Sequence, residues 1–138
     1  MDSSTINSRI KELTALWEHA HPGSRAHGER VAVYSVATAH KLGLVDDQLL
    51  FVRVVAQLSH IPGASERFPA LETVDDRCEK IVRLCRKFDQ LRTGYGGQPS
   101  LNDADVVSWL GHEARAEFDS DLIDALLEVQ GIIQPIGT

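Results

Sequence analysis

Cysteine is scarce in this chain: Cys78 and Cys85 are the only two among 138 residues, and they form no C-x-x-C. Seven positions apart in a helical pattern, they share a face but sit about 10 Å apart along the axis, too far for a disulfide. Buried free thiols in a reducing compartment are therefore expected. Long apolar runs are also missing, and none reaches the length of a membrane span. The opening MDSSTINSR lacks the charged and apolar regions of a secretory signal. Together these absences predict a cytoplasmic protein with no membrane association. Aromatic residues make up 6% and the net charge is -6. An acidic balance with few stacking platforms argues against nucleic acid as a partner. The chain has no strand-like alternation, internal repeat, heptad run or low-complexity tract, and its histidines lack the usual zinc spacings.

What remains is ordinary globular composition, 43% hydrophobic and 25% charged, in a length that fits one domain with a real core. Apolar residues recur at helical spacing. Ile6, Ile10, Leu13, Leu16 and Trp17 predict a first helix over about 5–20, which His21-Pro22-Gly23-Ser24 breaks. A second helix starts near Ser24, carries Val31, Val33, Tyr34, Val36, Ala37 and Ala39, and stops with Gly43 as its C-terminal cap. Asp46 or Asp47 caps a third, which is apolar on most sides over 49–58 and so predicted to be central. The stretch 62–73 reads as a loop or a broken short helix. The fourth helix runs from about Val74 to Arg92 with an apolar face of Cys78, Ile81, Val82, Leu84, Cys85, Phe88 and Leu91. Asn102 with Asp105 resembles a capping box for a fifth, and Asp119 caps a last one that Gly131 closes. The expectation is a single all-α domain over 1–138, a compact bundle of about six helices, with 1–4 and about 132–138 as tails.

Charge is unevenly spread. The fourth helix carries Arg77, Lys80, Arg83, Arg86, Lys87 and Arg92 after an acidic start, whereas 102–128 is acidic with Arg115 as its single base. Acids first and bases last suit the helix dipole. A solvated surface explains the acidic stretch most simply, and head-to-tail association or docking to a basic partner is the functional alternative.

Several segments carry a family resemblance. EHAHPGSRAHGERVAVYSVATAHKLGL contains His27, Gly28, Glu29, Arg30 and Val31 in an H-x-x-R-V pattern. VDDQLLFVRVVAQLSHI, IVRLCRKFDQLRTGYGG and FDSDLIDALLEVQG follow in order. These segments resemble, in sequence and spacing, the HD-GYP phosphodiesterase family, whose all-helical domain holds two or more metal ions through His and carboxylate ligands. The resemblance implies an HD-domain-like bundle and a setting in bacterial cyclic-dinucleotide or response-regulator signalling.

The departures bear on chemistry. The family's H-D pair falls on Ser59 and His60, and the Asp of its later A-V-A-D falls on Arg86. The section with further histidine ligands and the G-Y-P loop is reduced to the short stretch before the fourth helix. Gly94-Tyr95-Gly96 lies beyond the place where that loop belongs, so it reads as turn punctuation. A serine is a poor ligand, His60 cannot bridge two cations as a carboxylate can, and Arg86 puts a permanent positive charge where an anion is required.

The resulting expectation is a noncatalytic HD-GYP-like signalling or protein-interaction module, an inactive homologue of the phosphodiesterases. His27, Ser59, His60, Arg86 and Asp89 would line its vestigial pocket. Arg86 most simply pairs with a local acid or sits at the surface; in the sharper reading it stands in for the lost metal, with Asp89 within reach as one partner. No catalytic residue, cofactor or metal is expected; if a metal bound at all, His27 and His60 would hold it. A protein partner is expected and a homo-oligomer is possible. The rival readings are an atypical metal-dependent phosphohydrolase and a nucleotide- or anion-binding sensor that uses the old pocket.

Overall fold

A computed structural model describes residues 3–58, 61, 75–97 and 99–131. Their regular structure is entirely helical: α1 (Ser3–Ala20), α2 (Ser24–Lys41), α3 (Asp47–Leu58), α4 (Asp76–Thr93), α5 (Asp103–Gly111), α6 (Glu113–Glu117) and α7 (Ser120–Val129). The expected all-α bundle is present.

Local chemistry sets the boundaries. Gly23 and Gly43, at φ 93° and 94°, take the left-handed turns on either side of α2. Glu18 of α1 reaches across the first of these turns. Its carboxylate accepts from the N–H groups of Gly23 (3.1 Å) and Arg25 (3.2 Å) and from the Ser24 hydroxyl (3.4 Å). It thus caps the start of α2 from the preceding helix, and the backbone bonds from Gly23 and Arg25 hold its pKa below the usual carboxylate range. Asp75 caps α4 by accepting from the Cys78 N–H at 2.7 Å, so the helix begins at Asp76, two residues after Val74. Asn102 accepts from the Asp105 N–H at 2.8 Å, as its spacing predicted. Asp119 occupies the N-cap of α7 but its side chain makes no capping bond. The short α6 was not foreseen. Only Ala114 of its residues is buried, so it leaves no apolar period to read.

Packing centres on α2, which touches α1, α3, α4 and α7. Apart from Val31, its buried face is made of small and polar residues, among them Gly28, Ala32, Ser35, Thr38 and Ala39, while Val33 is 65% exposed. The third helix is covered on two sides. Val52, Val55 and Ala56 join the main core with Ile81, Leu84, Phe88, Leu110 and Leu126, and Val54 and Leu58 pack with Ile10 and Leu13 of α1. The expected burial of Ala56 and Leu58 is met. Leu16, assigned by spacing to the apolar stripe of α1, is 60% exposed.

Cys78 and Cys85 are free and buried. Burial pushes their thiols up to about 11 and about 12. The uneven charge is answered within the chain. Arg77 pairs with Asp121 (3.1 Å), Arg83 with Glu117 (3.6 Å) and Arg92 with Asp103 (3.7 Å), so the basic helix faces the acidic ones.

Candidate functional site

In the H-x-x-R pattern, His27 and Arg30 are three residues apart on a helix, which puts imidazole and guanidinium on one face. That face of α2 meets α4, where Asp89 points inward one turn before the Gly94 cap. Asp89 has no solvent exposure and His27 has 1%. His27 Nδ1 lies 2.6 Å from Asp89 Oδ2. Arg30 Nε donates to Oδ1 at 2.7 Å and Nη2 to Oδ2 at 3.1 Å, so the guanidinium spans both carboxylate oxygens.

Burial works to raise the Asp89 pKa, but the bonds from His27 and Arg30 outweigh it and hold the carboxyl below its usual range. The same bond raises the pKa of Arg30. An ionised carboxylate can only accept, so the proton of the His27–Asp89 contact sits on Nδ1.

The turn after α4 completes the cluster. Thr93 Oγ1 donates to the Asp89 carbonyl at 2.8 Å and accepts from the Tyr95 N–H at 3.2 Å. The Tyr95 ring stacks on His27, with centroids 4.1 Å apart and planes 16° apart. Burial raises its pKa, with a further push from the charge of Glu18. Gly23 lies beside it: a Cβ there would meet the Tyr95 ring at an ordinary contact distance of 3.8 Å, so it is the φ of 93° and not crowding that favours glycine. Beneath the cluster, Tyr34 meets Phe88 edge-on at 5.2 Å and the Arg92 guanidinium lies 5.3 Å from the Phe88 ring centre.

No family model, curated protein or solved structure matches this chain.

Of the residues expected in the pocket, His27 and Asp89 come together, and Ser59 and His60 lie outside the described residues. Asp89 was expected to serve Arg86, but its carboxylate is engaged by His27 and Arg30. Arg86 is half-buried on a flank of α4 it shares with Glu79. Burial lowers its pKa and the Glu79 charge opposes that. The guanidinium that pairs with Asp89 comes from α2.

Arg30 was legible, because it lies in the same H-x-x-R-V pattern as His27 and helical spacing brings the two together. From the sequence, Tyr95 reads as part of a Gly-rich turn. Its signal was a bulky aromatic held between glycines, which a solvated turn does not require. The other clustered histidines, His19 and His21, are exposed, with His21 stacked on Trp17 at 4.0 Å. Among the described residues no three His, Cys, Asp or Glu side chains converge as a metal-ligand set.

Proposed function

We propose that this chain is a noncatalytic signalling or protein-interaction module built on a shortened HD-GYP-like bundle. The observation that carries the reading is the guanidinium of Arg30 laid across both oxygens of Asp89, which also holds His27. A metal site of the family's kind needs anionic charge left over for the cation. Here the single buried carboxylate of the cluster is matched by a fixed positive charge, and its imidazole partner is roofed by Tyr95. The group serves as a lock between α2 and α4. It preserves the shape of the old pocket, and recognition passes to the surface. The sequence resemblance supports a setting in bacterial cytoplasmic signalling for such a module, with a protein partner or a second copy as its target.

The test is elemental analysis with an activity assay. The purified protein should carry well under one manganese, iron or zinc ion per chain. It should not hydrolyse cyclic dinucleotides above background with manganese added. Stoichiometric metal, or turnover that His27→Ala abolishes, would show that His27 and Asp89 belong to a working phosphohydrolase.

A further inference from the structure

Away from the cluster, on another face of α2, lies a cavity of about 300 Å³ between α1, α2 and α3. Lys11, Arg25 and Arg53 line it, one cation from each helix, with Glu29 as the single acid. Three cations against one acid leave a positive lining in a chain whose net charge is -6. Glu29 is itself answered by Arg25 at 3.4 Å.

Arg53 is held by one end: its Nη2 donates to Asn7 Oδ1 at 2.7 Å. Its Nε and the Oε1 of Gln57, one turn further along α3, are buried without a hydrogen-bond partner. An unmatched buried donor and acceptor are costly, and a small turn of either side chain brings it to the cavity. A Gln amide can also turn end for end, so Gln57 offers an acceptor or a donor.

Glu29, Arg53 and Gln57 also border a second, open space of about 730 Å³ on the outer side of α2 and α3. Its floor is apolar: Val33, Val36 and Ala37, at helical spacing, face Leu49. Val33 is 65% exposed. A cationic chamber thus opens beside an apolar trough, and the two volumes lie within the range of roughly 300–1,000 Å³ that small-molecule sites occupy.

We propose that these adjoining spaces bind a small amphiphilic anion, its phosphate or carboxylate head among Lys11, Arg25 and Arg53 and its aliphatic body along Val33, Val36, Ala37 and Leu49. The head matches the positive lining and offers oxygens to the free edge of Arg53. The body covers the apolar stripe that α2 otherwise shows to water. The inference does not depend on how the His27–Asp89–Arg30 cluster is read.

Isothermal titration calorimetry, with amphiphiles kept below their micelle concentrations, tests it. Dodecyl phosphate and dodecanoate are the probes, and dodecanol and inorganic phosphate are the half-ligands. At least one probe should bind saturably at one site per chain, and each half-ligand about tenfold more weakly or worse, since each keeps only part of the contact. Preference between the probes identifies the head. Lys11→Gln and Val33→Asp alter exposed side chains and should leave the melting temperature unchanged while weakening binding. Absence of saturable binding by both probes, or binding indifferent to both substitutions, would overturn the proposal.

Discussion

A carboxylate with no solvent exposure survives near the end of α4 because three donors reach it: Nδ1 of His27 and the Nε and Nη2 of Arg30. Removing the carboxylate deprives the buried His27 of its charged partner, while the partly exposed Arg30 can turn to water, a loss on the order of 3 kcal/mol. Asp89→Asn should therefore destabilise the protein at neutral pH. The pH dependence follows from the direction of the shift. Asp89 is held below its ordinary value of 3.8, so on acidification the unfolded chain takes up the proton first. Its contribution is fully present above that value and is lost as pH falls through the lower, folded one. Melting curves of the wild type and Asp89→Asn should lie well apart near neutrality and draw together below about pH 4. A gap that stays constant from neutrality into strong acid would remove the ion-pair account. At this scale the sequence disclosed the acid and the imidazole but mispaired the acid. Asp89 was matched to Arg86 on its own helix, because separation along one helix is all that a sequence displays. Arg30 is 59 positions away in the chain and adjacent only after α2 and α4 pack.

Hydropathy misjudges α2. Its visible apolar residues include Val33, which faces water, while the side that touches its neighbours has Val31 as its one bulky aliphatic beside Gly28, Ala32, Ser35 and Ala39. Small side chains at that spacing let α3 and α4 approach closely, but they weigh little on any apolar scale. The third helix announced itself by Val52, Val54, Val55 and Leu58, and its burial followed from them. The linking role of α2 was hidden because closeness, and not bulk, is what it contributes. A substitution at each kind of position separates the two. Ser35 has no exposure, so Ser35→Leu should overfill the core and cost about 1–3 kcal/mol despite adding apolar surface. The larger Val33→Leu, on the exposed side, should change stability by less than about 0.5 kcal/mol. Denaturant midpoints measure both. Equal effects would mean that the small-residue face is not a close contact.

Across the whole molecule, the C-terminal helices meet α4 in two ways, and magnitudes decide between them. The first is charge: Arg77–Asp121, Arg83–Glu117 and Arg92–Asp103 bridge the basic and acidic halves. Each pair is largely in water, where such contacts contribute about 0–1 kcal/mol and weaken with salt. The second is apolar burial: Leu110, Leu122, Ile123 and Leu126 are at or below 1% exposure against Ile81, Leu84, Cys85 and Phe88. Truncating a single such leucine costs about 2–5 kcal/mol, against about 0–3 kcal/mol for all three ion pairs together, and several such side chains are buried here. Salt also eases the self-repulsion of a chain with net charge -6, which offsets part of what the pairs lose. Raising sodium chloride from low concentration to half-molar should therefore move the melting temperature by no more than about 3 °C. Leu126→Ala should lower it by roughly 10 °C, since each kcal/mol is worth roughly 3–5 °C in a domain of this size. If salt lowers the melting temperature as far as Leu126→Ala does, charge pairing and not the leucine-rich face of α7 holds the halves together. The sequence's division into basic and acidic segments would then be the main source of cohesion.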